Sequence, residues 1–307
     1  MNPAPLLCLL GPTAVGKTAL ALALAARWPC RLISVDSAQV YRGLDIGTAK
    51  PDAATLARFP HALIDLLPPE ESYSAARFVA DARAELAAAR AAGQIPLLVG
   101  GSMLYFHALF GALDDLPPSR PEIRNRLLAR PGPELHAELQ RIDPTSAARL
   151  APNDVKRLSR FLELWEITGQ PPSQLFAAQT PPPPGRVLAL GLNRERAELH
   201  QRIAARLQEM LAAGFWAEVE GLLARPGLTL AHPSLQSAGY QQLGRALLQD
   251  GNRAEAEEQA LIATRQLAKR QITWMNNRLK TVLPLEIHRP DPPGLINRVA
   301  AFLAGAP

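Results

Sequence analysis

The eight residues "GPTAVGKT", at positions 11 to 18, constrain this chain more than any other stretch. The pattern G-x-x-x-x-G-K-[ST] requires a strand before it and a helix after it, because several backbone N–H groups must converge on one anion. The setting is right: the apolar run "PLLCLL" precedes the loop and the Ala/Leu-rich "ALALALAARW" follows it. The N–H groups of Ala14–Thr18 are expected to point inward, reinforced by the positive end of the helix. Gly11 and Gly16 permit a tight backbone, Lys17 supplies a point charge, and the Thr18 hydroxyl suits Mg²⁺ or a phosphate oxygen. Pro12, Thr13 and Val15 complete the loop. A loop of this kind serves a nucleotide or another diphosphate equally well, so it does not choose the chemistry.

The rest of the first half alternates short apolar runs with helical patterns. Strands are expected at Leu6–Leu10, Arg31–Val35, Ala62–Leu66 and Ile95–Val99, and a fifth at Arg186–Leu192. Helices are expected at Lys17–Arg27 and at Ala75–Ala92, the latter opened by Ser72 or Ser74 and stopped by Gly93. Such alternation implies an α/β fold: a P-loop NTPase-like parallel sheet with helices on both faces. The breakers in "LDDLPPSRPEIR", "RPGPEL" and "TPPPPG" bracket a different texture. Residues 113–185 therefore read as a helical insertion domain, and residues 1–112 with 186–307 as the core. The proline run 181–184 reads as a stiff connector. After residue 193 the chain is expected to be helical.

Composition narrows the class further. The net charge of +5 suggests an anionic partner but carries little weight by itself, because arginine-rich chains from GC-rich genomes often show such an excess. No run of about twenty apolar residues exists, so no membrane span is expected. "PLLCLL" lacks a basic leader and runs into the glycine loop, so a cytoplasmic protein is expected. The two cysteines, Cys8 and Cys30, match no metal spacing and suit a reducing compartment.

Nucleotide hydrolases usually add an acidic residue at the end of another core strand. The strand Ile95–Val99 ends instead in "GGS". The strand Arg31–Val35 does end in an acid, Asp36, at the crevice where such sheets bind ligands. Asp36 can hold Mg²⁺, accept a proton from a nucleophile, or cap the next turn.

Five segments in order resemble the tRNA dimethylallyltransferase family, of bacterial type: "GPTAVGKT", "ISVDSAQVYRGLDIGTAKP", "IPLLVGGSMLYFHAL", "PNDVKRLSRFLE" and "ATRQLAKRQITW". The resemblance covers the chain from about residue 5 to 276. The resemblance implies an enzyme that moves a dimethylallyl group from dimethylallyl diphosphate to N6 of the adenosine 3′-adjacent to the anticodon. The tRNAs concerned read codons that begin with U. The diphosphate in the loop is then a leaving group, bound by residues 11–18. Asp36 is the implied base, while Thr13, Lys17 and Thr18, with Mg²⁺, would offset the charge on the departing diphosphate. Arg206, in "HQRIAARLQEMLAAGF", matches the position of a diphosphate clamp, and Arg202 lies on the same helical face.

The target adenine must leave its stack to reach a pocket. By resemblance Asp36, Ser37, Ala38, Gln39 and Ser102 contact that base and its neighbours. Ser102 stands where threonine is commoner in the family. The implied grips on RNA are Lys156, Arg157, Leu158, Ser159 and Arg160, then Gly239 and Tyr240, then Lys269, Arg270, Gln271 and Trp274. In the last of these segments Ala268, Ile272, Met275 and Leu279 recur at helical spacing as a packing stripe, and no acid occurs between Arg265 and Lys280. "QSAGYQ" departs from the family, with Gln236 and Gln241 in place of basic residues. The two cysteines cannot build the zinc finger of eukaryotic members.

The expected partners are tRNA, through its anticodon stem-loop, and dimethylallyl diphosphate, with no membrane, no obligate protein partner and a monomeric state. Three rivals remain: an isopentenyl transferase acting on free AMP, ADP or ATP, a P-loop kinase for a small metabolite, and a non-enzymatic nucleotide switch or RNA-binding module. The insertion and the basic carboxy-terminal helix favour tRNA.

Overall fold

A computed structural model describes residues 5–111, 116–177 and 185–305. The chain divides into two compact units, residues 1–110 with 183–307, and residues 111–182. The proline run 181–184 and the start of the expected insertion at Leu113 lie outside the described residues.

The larger unit is built on six parallel strands: β1 (Pro5–Leu10), β2 (Cys30–Val35), β3 (His61–Ala62), β4 (Ile95–Gly100), β5 (Arg186–Leu192) and β6 (Leu285–His288). Their order is β3-β2-β4-β1-β5-β6. Leu6 to Leu10 are all buried. A strand apolar at consecutive positions is covered on both faces, as parallel sheets require. β1 lies at the centre, with Leu7 opposite Leu97 of β4 on one side and Leu188 of β5 on the other. The carboxyl ends of β1, β2 and β4 thus open together, where parallel sheets place their ligands.

The helices that follow these strands differ in how they begin. The first, α1 (Lys17–Ala25), starts after Gly16 at φ 109 with no side-chain cap, so its leading N–H groups stay available to an anion. The next two are α2 (Ala53–Arg58) and α3 (Ala75–Ala91). Of the two candidate caps for α3 it is Ser74 that acts, accepting from Arg77 N–H at 3.1 Å, a bond worth about 1 kcal/mol. α4 (Met103–Phe110) leaves the end of β4.

Residues 111–182 hold α5 (Pro121–Leu128), α6 (Gly132–Ile142), α7 (Pro144–Ala147), α8 (Val155–Thr168) and α9 (Pro172–Ala177). Their own core includes Leu127, Leu135, Leu139, Leu158 and Leu162. Beneath it the buried Glu163 carboxylate accepts from Ser119 Oγ, Arg120 N–H and Arg160 Nη1.

The larger unit resumes with α10 (Arg196–Ala212), α11 (Phe215–Leu223), α12 (Tyr240–Leu248), α13 (Arg253–Asn277) and α14 (Pro292–Leu303). One core packs α1, α10 and α14 on the sheet through Leu20, Leu24, Leu199, Ile203 and Phe302. A second joins α11 and α12 to the segment after β2, through Val40, Tyr41, Leu44, Phe215, Val219, Tyr240 and Leu243.

Two expectations need correction. The strand expected at Ala62–Leu66 is only His61–Ala62. Leu63 and Asp65 adopt φ 64 and 54, which turns the chain out of the sheet and delivers Leu67 to the second core. β6 was not expected at all. It is a four-residue edge strand between prolines 284 and 290, too short to show a period, and it exists because β5 offers a free edge: Ala189 pairs with Leu285.

Candidate active site

The loop is held from several sides. Lys17 Nζ donates to the carbonyls of Gly11 (3.0 Å) and Pro12 (2.9 Å). Arg202 Nε donates to the Ala14 carbonyl at 2.8 Å and Arg194 Nε to that of Val15 at 2.9 Å, so carbonyl oxygens are drawn outward. Ala14 sits at φ 62, a conformation that costs a non-glycine residue of the order of 1 kcal/mol. The carbonyls turned outward leave N–H groups of the loop for the anion side, apart from that of Thr13, which donates to Gln271, and that of Val15, which reaches the Pro12 carbonyl at 3.4 Å. Burial lowers the Lys17 ammonium to about 8, opposed by the Asp36 carboxylate and assisted by the Arg206 guanidinium. Burial likewise pulls Arg206 below its ordinary range, against the attraction of Asp36. Two cations and a carboxylate therefore face one space, and an anion entering it would offset what the cations lose by burial.

That space is one cavity of about 1060 Å³. Its walls include residues 13–18 of the loop, Asp36 to Gln39 past β2, Gly100 to Ser102 past β4, and Arg202 and Arg206 of α10. From α13 come Leu267, Arg270, Gln271 and Trp274, at helical spacing and so on one face. Trp274 is 36% exposed and meets His107 edge-on at 6.0 Å between centroids. Of the expected packing stripe, Ala268, Met275 and Leu279 are buried and Ile272 is half-buried against the core.

Asp36 caps the turn it begins. Its Oδ1 accepts from Ala38 N–H (2.8 Å) and Gln39 N–H (3.2 Å). Ser102 Oγ accepts from Ser37 N–H at 2.9 Å and so ties the end of β4 to the same turn. Gln39 serves its own loop: its amide accepts from Ser34 Oγ and donates to the carbonyls of Thr48 and Ala49. Beyond it, Lys50 Nζ bridges Asp45, Asp65 and the Tyr41 carbonyl. Glu218 of α11 accepts from the N–H groups of Asp45 (3.0 Å), Ile46 (2.7 Å) and Gly47 (3.1 Å) and from Tyr240 Oη (2.5 Å). Gly47 is required there, since a Cβ would come within 2.2 Å of the Phe215 ring. Lys50 and Glu218 were missed in the sequence; the turn through Asp65 brings a partner to Lys50, and the packing of α11 on the loop brings Glu218.

Several residues expected to touch ligand stand elsewhere. Gly11 and Pro12 are buried behind the loop and reach Lys17 only through their carbonyls. Leu158 and Ser159 are fully buried in the insertion unit, and Arg160 is held by Glu163 and the Pro117 carbonyl. Lys156 and Arg157 are exposed on the same helix, Arg157 paired with its own N-cap Asp154. Tyr240 is fully buried with its hydroxyl on Glu218, and burial pushes that phenol far up, so its side chain is structural. Gly239 lines the cavity, whereas Lys269 is exposed outside its lining. Gln271 does line it, but its amide is bonded to the chain, accepting from Thr13 N–H and donating to the Gly101 carbonyl. For Leu158, Ser159 and Tyr240 the neighbour that covers the side chain was not visible in the local pattern.

Fold and cavity define a P-loop α/β protein that sets a phosphate cradle beside a carboxylate and an open, partly aromatic pocket. Comparison with known proteins narrows this. The family model described as IPP transferase matches residues 39–278, and that of isopentenyl transferase matches residues 5–66. The tRNA dimethylallyltransferase of Dichelobacter nodosus is 54% identical over 301 residues, covering 96% of this chain and 95% of its own. That of Bordetella parapertussis is 50% identical over 291 residues, covering 92% and 93%. The full-length tRNA isopentenylpyrophosphate transferase of Bacillus halodurans has a similar structure (TM-score 0.71, 34% identity, 98% of this chain and 96% of that one). So does a eukaryotic dimethylallyltransferase captured acting on tRNA (TM-score 0.86, 26% identity, 99% and 80%). The chain belongs to the IPP transferase family.

Proposed function

We propose that this protein transfers the dimethylallyl group of dimethylallyl diphosphate to N6 of the adenosine 3′-adjacent to the anticodon, in tRNAs reading codons that begin with U. The observation that carries this reading is the content of the cavity at the loop. It joins an uncapped phosphate loop and Arg206 to Asp36 and to a helix face bearing Arg270 and Trp274, while β4 ends in Gly100–Gly101–Ser102 with no carboxylate to activate water.

In that reading N6 attacks the allylic carbon, the carbon–oxygen bond breaks, and its electron pair leaves with the diphosphate. The N6 proton passes to Asp36, whose Oδ1 is engaged by the turn and whose other oxygen is left for the task. Lys17, Arg206 and the N–H groups of the loop stabilise the growing negative charge. Among the described residues no cluster of His, Cys, Asp or Glu could hold a metal. Mg²⁺ would enter with the diphosphate, with the exposed Thr18 hydroxyl as its protein contact, and would supply further charge neutralisation there. Trp274 offers a surface for stacking a nucleobase, and Arg270 and Lys269 offer charge for phosphodiesters. No helix among the described residues is long and apolar enough to cross a membrane.

The deciding experiment supplies purified protein, Mg²⁺ and labelled dimethylallyl diphosphate with an anticodon stem-loop containing A-A-A, or with AMP. Label on the stem-loop alone is expected. Label on AMP with an inert stem-loop would select the free-nucleotide rival.

A pH dependence follows from Lys17. Its ammonium titrates at about 8 in the free protein, and a bound diphosphate selects the charged form. Affinity for inorganic pyrophosphate is therefore expected to be flat below about pH 7.5 and to weaken by up to about tenfold per unit above 8. The same lowering makes the unfolded chain bind more protons between about 8 and 10.5, so stability rises with pH in that window as the cost of the buried charge is relieved. Calorimetric titrations from pH 6.5 to 9.5 check the first, and a flat profile throughout would remove Lys17 from the diphosphate site.

A further inference from the structure

We propose that Gln271 is a positioning residue that couples the RNA-facing helix to the phosphate loop, so that RNA and diphosphate strengthen each other's binding. This rests on the function proposed above. The helix α13 turns Leu267, Arg270, Gln271 and Trp274 into the cavity. Within that face Gln271 alone is bonded across it: Oε1 accepts from Thr13 N–H at 2.9 Å and Nε2 donates to the Gly101 carbonyl at 2.9 Å. The fit is close, since a Cβ on Gly101 would lie 2.6 Å from Nε2.

Both partners are strategic. Thr13 immediately precedes Ala14, whose φ of 62 turns the loop so that its N–H groups face the anion. Gly101 immediately precedes Ser102, whose Oγ fixes Ser37 beside Asp36. One amide thus joins the helix that carries Arg270 and Trp274 to the donor loop and to the base-bearing turn. Its donor and acceptor ends are both used, so a displacement of α13 must strain or break one bond at each strand end. RNA that holds α13 in place favours the loop shape that binds diphosphate, and the converse holds to the same factor by linkage.

Calorimetry with inorganic pyrophosphate and Mg²⁺, with and without a saturating anticodon stem-loop, tests this. Wild-type protein is expected to bind pyrophosphate about fivefold or more tightly with the stem-loop than without. In Gln271→Met, which keeps the shape and removes both hydrogen bonds, that ratio is expected to fall below about twofold, with the stem-loop affinity measured alone changed less than about twofold. Gln271→Glu keeps the acceptor for Thr13 and sets a carboxylate against the Gly101 carbonyl, so its ratio falls between the two; it carries the test if the methionine variant fails to fold. A wild-type ratio near one, or either variant at the wild-type ratio, overturns the coupling. Transfer to the stem-loop by the wild-type protein is assayed in parallel. With transfer intact, such a result discards the coupling and leaves the function standing; without transfer, both are discarded.

Discussion

Asp36→Asn is expected to lower turnover on an anticodon stem-loop by about 10²- to 10⁴-fold, the scale of a removed general base, while leaving RNA affinity nearly unchanged. The structure makes the substitution informative. Asp36 Oδ1 caps the turn by accepting from Ala38 and Gln39 N–H, and asparagine presents a carbonyl oxygen at the same place. The turn that also positions Ser37 against Ser102 therefore survives, and what disappears is an oxygen able to take the N6 proton. Single-turnover transfer and RNA binding measured together check this. Unchanged turnover would assign Asp36 to the turn alone; loss of RNA binding in step with turnover would mean that the turn had collapsed.

Glu218→Ala is expected to give the largest loss of stability among changes near the cavity, about 3 kcal/mol by urea unfolding. Its carboxylate satisfies three consecutive N–H groups, of Asp45, Ile46 and Gly47, and the hydroxyl of a fully buried tyrosine. Removing it leaves the hydroxyl of the fully buried Tyr240, packed among Phe215 and Leu243, without its partner. Tyr240→Phe deletes one bond and leaves the other three, so about 1 kcal/mol is expected. Pyrophosphate affinity should persist in both folded variants, because the loop is anchored separately by Lys17, Arg194 and Arg202. Equal losses in the two variants would show that Glu218 acts only through the tyrosine.

Much of the core was legible because its causes are local. An apolar run, a glycine-bounded loop and an Ala/Leu helix follow one another within residues 5 to 25, and each needs only near neighbours to take its shape. The long strands β1, β2, β4 and β5 were recognisable for the same reason. β6 and the shortness of β3 were not, since an edge of four residues and a turn through Leu63 and Asp65 depend on what lies beside them. The site was legible in its residues more than in their tasks. Asp36, Lys17 and Arg206 do meet at one cavity. Glu218, by contrast, carries no sign in the sequence that it holds a loop 173 residues away, nor Arg202 that it holds a carbonyl 188 residues away.

The sequence by itself determined the phosphate loop, the alternation that makes a parallel sheet, and the membership of a family. It also determined which residues of each helix share a face, because the helical period is set by the backbone. Only the tertiary structure decided what each face meets. On α13 it turned Ala268 and Met275 inward and Arg270, Gln271 and Trp274 to the cavity. It buried Tyr240, Leu158 and Ser159, which local pattern leaves equally free to touch RNA. It also spent the Gln271 amide on Thr13 and Gly101. Periodicity fixes angles around one axis, whereas burial and hydrogen bonding depend on a second element whose approach no local pattern encodes.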